Sequence, residues 1–288
     1  MSQYRDLLFK SHDGLNLYAR DYPAPANAAT VICLPGLTRN SADFDELCSG
    51  LAGEYRFLAV DLRGRGRSDA DPNPLNYNPA TYAQDIVKLM QDVEIASAIF
   101  IGTSLGGLVG MTLAAMNPAL VQGLVLNDVG PELNPSGITR IRNYVSKSAD
   151  VTNWEEAVQR TRETQGQALP GLSDVEWQAF TRRLFRPDEQ GKPILNYDKD
   201  ISVLFEAADT DAPPADLWPL FESLKEIPML VIRGAQSDIL SAAVVSRMAA
   251  YHPQMSSLEV QDRGHAPLLN EPGIPEAIRE FLRDILVK

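Results

Sequence analysis

The segment from Ala98 to Leu113 restricts the possible folds of this chain more than any other. An apolar run ends at Ile101, the pattern Gly-x-Ser-x-Gly occupies 102–106, and apolar and small residues at helical spacing follow. This order predicts a buried strand, a sharp turn and a buried helix, because glycines let the chain reverse where Cβ atoms would collide. A residue at the apex of such a turn, here Ser104, lies at a sheet edge and at a helix N-terminus. Free N–H groups there stabilise a developing anion.

Ser104 has two alternative roles at this position. As a helix cap it would do no chemistry, since Ser is a common capping residue and Gly-x-Ser-x-Gly often occurs by chance. As a nucleophile it needs a strand before it and a helix after it, and the surrounding pattern predicts both. The context of the turn therefore favours the nucleophile.

Strand and helix patterns alternate along most of the chain. Polar–apolar alternation predicts an antiparallel hairpin at 4–10 and 15–22, and continuous apolar runs predict buried strands further on. Between residues 30 and 130 these strands alternate with helical patterns four times. Such alternation is typical of an α/β fold with a parallel sheet covered by helices on both faces. Ligands of such sheets bind beyond the carboxyl ends of the strands.

Residues 131–218 interrupt this alternation. They contain amphipathic stretches and all three Trp residues, and no apolar run typical of a buried strand. From Met229 the strand–helix alternation returns, and it ends in an amphipathic helix. We therefore predict an α/β core domain formed by 1–130 and 219–288, with 131–218 inserted as a helical cap.

The composition disfavours several classes of function. A formal net charge of −12 argues against nucleic acid or an anionic membrane as a partner. No apolar run approaches the roughly 18 residues that cross a bilayer, and the N-terminus lacks a signal-peptide pattern, so we expect a cytoplasmic protein. Cys33 and Cys48 are expected to be free thiols. Two separate Cys and three His show no metal-ligand spacing, so no metal is expected.

The segment Asp61–Ser68 combines three Arg with two Gly. Arg side chains and free N–H groups both suit phosphate, but the segment matches neither the Walker pattern nor Gly-x-Gly-x-x-Gly. We interpret it as a structural turn whose Arg side chains pair with nearby carboxylates.

Three residues with complementary chemistry each follow a predicted parallel strand: Ser104, Asp238 and His265. The carboxyl ends of parallel strands lie at one edge of a sheet, so residues distant in sequence meet there. A serine hydroxyl needs an adjacent base, imidazole is the best base near neutral pH, and a carboxylate orients the imidazole. The order Ser, Asp, His is also that of one known class of hydrolase.

The base and the acid of this set each have competitors. His265 follows a Gly in a loop after a strand, whereas His12 and His252 are expected at the surface. Asp238 is the expected acid. Asp128 also follows a strand and is the alternative, and Asp238 would then only cap the next helix.

Five segments together resemble the α/β-hydrolase fold superfamily over essentially the whole chain: Leu34–Leu37, Asp61–Ser68, Gly102–Gly107, Arg233–Asp238 and Gly264-His265. The resemblance implies a mostly parallel eight-stranded sheet with a helical cap inserted after the sixth strand. It implies Ser104 as nucleophile, Asp238 as acid and His265 as base. It also implies an oxyanion hole made by the backbone N–H groups of Leu37 and Leu105. Many relatives have His-Gly where this chain has Pro35-Gly36, a difference that leaves the Leu37 N–H available.

These features predict a serine hydrolase of the carboxylesterase kind, acting on a small acyl substrate and water without a cofactor. Ser104 argues against haloalkane dehalogenases and epoxide hydrolases, which resemble the chain but use Asp at this turn. Hydrolases of carbon–carbon bonds of the meta-cleavage-product type remain open, although they usually have Trp where Ala266 follows His265. Lactonase, thioesterase, amidase and perhydrolase activities also remain open, because one triad serves them all. The alternative of another class is a non-enzymatic small-molecule receptor on the same fold.

Overall fold

The structure is a computed structural model that describes residues 4–146, 150–203 and 216–287. The strands are, in chain order, β1 (Arg5–Lys10), β2 (Asn16–Tyr22), β3 (Thr30–Leu34), β4 (Arg56–Asp61), β5 (Ala98–Thr103), β6 (Val121–Asn127), β7 (Phe185–Pro187), β8 (Pro193–Leu195), β9 (Met229–Gly234) and β10 (Met255–Val260). The α-helices are α1 (Asp45–Gly50), α2 (Pro79–Asp92), α3 (Leu105–Met116), α4 (Pro135–Ser146), α5 (Trp154–Gln165), α6 (Asp174–Leu184), α7 (Trp218–Glu222), α8 (Ala242–Tyr251) and α9 (Ile274–Val287). Short 3₁₀ turns occupy Ser41–Phe44, Pro74–Asn76, Pro118–Leu120 and Lys199–Ser202.

Eight of the strands form one sheet in the order β1-β2-β4-β3-β5-β6-β9-β10. The β1–β2 and β2–β4 pairs are antiparallel, and every other neighbouring pair in this sheet is parallel. This arrangement confirms the predicted α/β fold with a mostly parallel eight-stranded sheet.

The central strands are buried on both faces, which explains their continuous apolar runs. In β5, Ala98 and Phe100 pack in one apolar cluster while Ile99 and Ile101 pack in another. Successive side chains of a strand point to opposite faces, so the two clusters are the cores above and below the sheet. The site residues that follow these strands are therefore held by a sheet fixed from both sides.

The described residues of the predicted cap contain α4, α5 and α6 and a two-stranded hairpin of β7 and β8. No sequence pattern predicts this hairpin, because strands of three residues are too short to show a period-2 pattern. Gly191 lies in the turn between the two strands and has φ +81°. Residues 147–149 and 204–215 of the predicted cap lie outside the described residues. The division into a core and a cap at 131–218 stays a proposal.

The Arg-rich turn after β4 is structural. The side chain of Arg63 is fully buried and donates to the carboxylates of Asp13, Asp71 and Asp85. Arg67 pairs with Asp6 at the surface. These pairs confirm the expected ion pairing for two of the three Arg residues. Arg65 differs, since it is buried and donates to backbone carbonyls and to a tyrosine hydroxyl instead.

No helix in the described part of the chain is both long enough and apolar enough to span a membrane.

Replacing Arg63 by Met is expected to lower the free energy of unfolding by about 3–5 kcal/mol, because it leaves the buried carboxylates of Asp71 and Asp85 without their cation. Arg67→Met is the matched control, since the exposed pair with Asp6 contributes roughly 0–1 kcal/mol. Urea unfolding of the three proteins measures the difference. Equal losses in both variants would contradict a structural role for the buried cluster.

Candidate active site

The turn between β5 and α3 holds Ser104 in a conformation that side-chain-bearing residues rarely adopt, with φ 51° and ψ −115°. The glycines on either side allow close packing there. A Cβ on Gly102 would lie 2.4 Å from the backbone of Gly106, and one on Gly106 would lie 2.0 Å from the carbonyl oxygen of Leu34. The strand–turn–helix context predicted for Gly-x-Ser-x-Gly is therefore present.

His265 follows β10 and connects Ser104 to a carboxylate. Its Nε2 lies 2.8 Å from Ser104 Oγ, and its Nδ1 lies 2.7 Å from Asp128 Oδ2. A carboxylate oxygen accepts hydrogen bonds, so Nδ1 carries the ring proton. Nε2 is then the acceptor for the Ser104 hydroxyl, which is the arrangement that a general base requires.

The carboxylate of Asp128 is fully buried and receives two further hydrogen bonds. The Gly234 N–H donates to Oδ1 at 2.9 Å, and the Ser237 hydroxyl donates to Oδ2 at 2.6 Å. Asp128 has φ 57°, a left-handed conformation that Asp tolerates better than most residues. These donors fix the side chain in the orientation that reaches His265.

The structure does not place Asp238, the acid expected from the sequence, against His265. Asp238 accepts hydrogen bonds from Arg140 of α4, with Nε and Nη2 at 2.6 and 2.9 Å, while the His265 ring bonds to Asp128 instead. Burial alone would raise the pKa of the Asp238 carboxyl, but the hydrogen bonds and charge of Arg140 hold it below its ordinary value. A Cβ on Gly137 would lie 2.3 Å from the Asp238 carbonyl oxygen, so α4 packs directly on this loop.

Asp238 also does not cap the next helix, because Ser241 is the N-cap of α8. Its side chain joins the core to the predicted cap. The alternative residue named from the sequence, Asp128, is the one that the fold places against His265. The catalytic role of either carboxylate stays a prediction.

The residues expected to form the oxyanion hole, Leu37 and Leu105, both line the same pocket as Ser104. Leu105 is the first residue of α3, and the first N–H groups of a helix have no partner within it. The carbonyl oxygen of Leu37 accepts a hydrogen bond from Arg65 Nε at 2.9 Å, which fixes the loop after β3. Within the described residues neither N–H donates to a backbone carbonyl. The assignment of these two N–H groups to an oxyanion stays a prediction.

A cavity of about 290 Å³ adjoins Ser104 and His265, at the small end of the range for ligand pockets. Most of its wall is apolar and comes from core and predicted cap alike, including Leu105, Leu108, Val129, Leu133, Ile138, Ile141, Phe180 and Leu268. Its polar side chains include Arg39, Asp43, Tyr144, Gln165 and Arg183. No sequence pattern identifies this set beyond the helical spacing of Phe180 and Arg183 in α6.

The loop that carries His265 is held from two sides. The Asn127 side chain donates to the Pro267 carbonyl oxygen at 2.9 Å, and the Gly264 N–H donates to the Ala168 carbonyl oxygen at 2.7 Å. A Cβ on Gly264 would lie 2.8 Å from Ala168 Cα. Core and predicted cap therefore both position the imidazole.

In the described segments, the remaining His and Cys side chains do not form a second catalytic centre of the same kind. His12 is exposed as expected, but His252 is buried, contrary to the prediction, and its Nε2 lies 3.1 Å from the Leu224 carbonyl oxygen. Burial lowers the pKa of His252. Cys33 and Cys48 are buried free thiols, and burial raises the pKa of Cys48, which disfavours its thiolate.

In the described part of the chain, one group of possible metal ligands lies within reach of a single ion: His12, Asp13 and Asp85, whose ligand atoms lie within 4.8 Å of one another. Arg63 already donates to both carboxylates, and His12 Nδ1 lies 2.9 Å from Asp85 Oδ1. A cation would have to compete with a buried guanidinium for these oxygens. The donor set therefore does not fit a metal ion.

Comparison with known proteins gives matches over most of the chain. A family model described as "alpha/beta hydrolase fold" matches residues 29–272. The 3-hydroxybutyrate-oligomer hydrolase of Cupriavidus necator is 37% identical over 256 residues, 86% of each chain. The 2-(acetamidomethylene)succinate hydrolase of Mesorhizobium japonicum is 26% identical over 254 residues, 88% of this chain and 83% of that protein. The crystal structure of an α/β hydrolase from Novosphingobium aromaticivorans superposes with a TM-score of 0.92 at 41% identity, covering 98% of this chain and 99% of that one.

The geometry predicts unequal effects of the two Asp residues on ester turnover. Asp128→Asn is expected to lower kcat/KM by about 10⁴-fold, because it removes the charge that sets the tautomer of His265 and stabilises its protonated form. Asp238→Asn is the matched control. Its kcat/KM is expected to stay within roughly 10-fold of wild type, because the substitution only weakens the contact with Arg140. Hydrolysis of a p-nitrophenyl ester by folded variants measures both effects. The reverse order would return the role of acid to Asp238.

Proposed function

Because the chain belongs to the α/β hydrolase fold family, we propose that it hydrolyses carboxylic esters through an acyl-enzyme on Ser104. The observation that carries the proposal is the pair of hydrogen bonds that joins Asp128, His265 and Ser104 beside an apolar pocket. The named relatives over most of the chain are hydrolases, which supports the reaction class.

In the proposed reaction, Ser104 Oγ attacks the ester carbonyl while His265 Nε2 takes the hydroxyl proton. Asp128 stabilises the imidazolium that forms. The N–H groups of Leu37 and Leu105 hold the oxyanion, and losing one such donor typically costs on the order of 10²–10³ in rate. His265 then gives its proton to the leaving alcohol. Afterwards it activates a water that releases the acid from Ser104.

We propose short esters of hydroxy acids as the substrate class. The relative that is 37% identical is named for oligomers of 3-hydroxybutyrate, and the second is named for a substituted succinate, so both names describe carboxylates. The small, mostly apolar cavity suits a short acyl group better than a long chain.

The test measures by chromatography the release of 3-hydroxybutyrate from its linear dimer. A series of p-nitrophenyl esters with acyl chains from C2 to C8 is assayed alongside. Wild type is expected to turn over both substrates with an optimum at short acyl chains. Ser104→Ala is expected to lose all of this activity, because the hydroxyl that forms the acyl-enzyme is gone. Ser246→Ala, an exposed position on α8, is the matched control and is expected to behave as wild type.

Two outcomes would contradict the proposal. Labelling of Ser104 by a serine-reactive phosphonate without turnover of any open-chain ester would keep the nucleophile but overturn hydrolysis of such esters, and would point to a lactone or a carbon–carbon bond. Absence of both turnover and labelling would favour the receptor alternative.

A further inference from the structure

One wall of the active-site pocket carries charge that the proposed reaction does not use. Arg39 lies in the loop after β3, Asp43 in the following 3₁₀ turn and Arg183 near the end of α6. The two Arg side chains are 14% and 19% exposed. Apart from His265, these three are the charged side chains among the described residues that line the pocket. Two guanidinium groups face one carboxylate, so the wall is positive overall.

The carboxylate of Asp43 is fully engaged by one of the two cations. Arg39 donates from Nε to Oδ2 at 2.6 Å and from Nη2 to Oδ1 at 2.5 Å, a two-point contact that uses both oxygens. Burial alone would raise the pKa of Asp43, but the charges of Arg39 and Arg183 and the hydrogen bonds from Arg39 hold it below its ordinary value. Asp43 is therefore ionised at neutral pH and neutralises one positive charge.

Among the residues that the structure describes, none supplies a hydrogen-bonded anion to Arg183. Its Nε lies 3.5 Å from Asp43 Oδ1 and is buried with no hydrogen-bond partner among the described residues. A buried cation is costly unless an anion or acceptors satisfy its donors. The guanidinium thus has capacity for an anion that enters the pocket.

Neighbouring groups hold Arg183 in place at this wall. The Asn40 side chain donates to the Arg183 carbonyl oxygen at 2.6 Å, which ties the end of α6 to the loop after β3. Both guanidinium groups also lie over the ring of Phe180: Arg39 Cζ is 4.0 Å and Arg183 Cζ is 5.7 Å from the ring centroid. The cationic wall is therefore organised before any ligand binds.

We propose that Arg183, supported by Arg39, binds a free carboxylate of the substrate while the ester of the same molecule reaches Ser104. This inference rests on the proposed function and narrows it to esters that carry a carboxylate, such as a hydroxy-acid oligomer with a free acid end. A planar guanidinium matches the two oxygens of a carboxylate, and Lys does so less well. Arg183 thus acts as a specificity-determining residue, and Asp43 keeps Arg39 in position beside Arg183.

The experiment compares the linear 3-hydroxybutyrate dimer with its terminal primary amide, which has nearly the same size and no charge. Wild type is expected to favour the acid by about 10–100-fold in kcat/KM, the range for a hydrogen bond to a charged group. Arg183→Gln is expected to abolish this preference by raising the KM for the acid. Its kcat/KM for the amide is expected to stay within roughly 3-fold of wild type. Arg183→Lys is expected to retain part of the preference.

Arg182→Gln is the matched control, because Arg182 precedes Arg183 in α6, is exposed and packs on Trp154 outside the pocket. It is expected to keep the full preference for the acid. A wild type without preference, or an Arg183→Gln protein that keeps it, would overturn the inference. Equal loss of acid and amide turnover in Arg183→Gln would also overturn it, since that pattern indicates a structural role.

Calorimetric binding of the same two compounds to Ser104→Ala separates this inference from the proposed function. The carboxylate site is supported if Ser104→Ala binds the acid more tightly than the amide and the Ser104→Ala, Arg183→Gln double variant does not. This holds even if wild type cleaves neither compound. Equal binding of acid and amide overturns the site even if wild type is an active esterase.

Discussion

The hydrogen bond between Asp128 and His265 is the interaction on which the rest of the site depends. It is buried, and it fixes the proton on Nδ1 so that Nε2 faces the Ser104 hydroxyl. The sheet makes it possible, because Ser104, Asp128 and His265 each follow a parallel strand whose carboxyl end lies at the same edge. The Gly234 N–H and the Ser237 hydroxyl then hold Asp128 in a left-handed conformation that aims its side chain at the imidazole.

Ion pairs and close backbone contacts set the predicted cap over this edge. Arg140 of α4 pairs with Asp238, and Arg183 of α6 approaches Asp43. The Gly264 N–H donates to the Ala168 carbonyl oxygen, so the same part of the chain also supports the loop that carries His265. The predicted cap therefore contributes both to the wall of the pocket and to the support of the loop that carries His265.

The sequence predicted the fold and two of the three groups in the hydrogen-bonded set, because those depend on local patterns. Gly-x-Ser-x-Gly requires close packing at the turn, and His265 had weak competitors. The choice between Asp128 and Asp238 depends instead on features that are distant in sequence or not visible in it. Asp128 has a positive φ, and Asp238 pairs with Arg140, about a hundred positions away. The cationic pocket wall likewise joins a loop after β3 to α6, and no periodicity in the sequence connects them.

Activation of Ser104 by Asp128 and His265 is tested most directly by the second-order rate at which a fluorophosphonate labels Ser104. Intact-protein mass spectrometry measures this rate, which needs no knowledge of the substrate. The geometry of the site predicts rapid labelling of wild type and of Asp238→Ala. It predicts labelling slower by about 10²-fold or more in Asp128→Ala and in His265→Ala, the range that a lost general base typically causes. Equal labelling rates in all four proteins would contradict activation of Ser104 by Asp128 and His265.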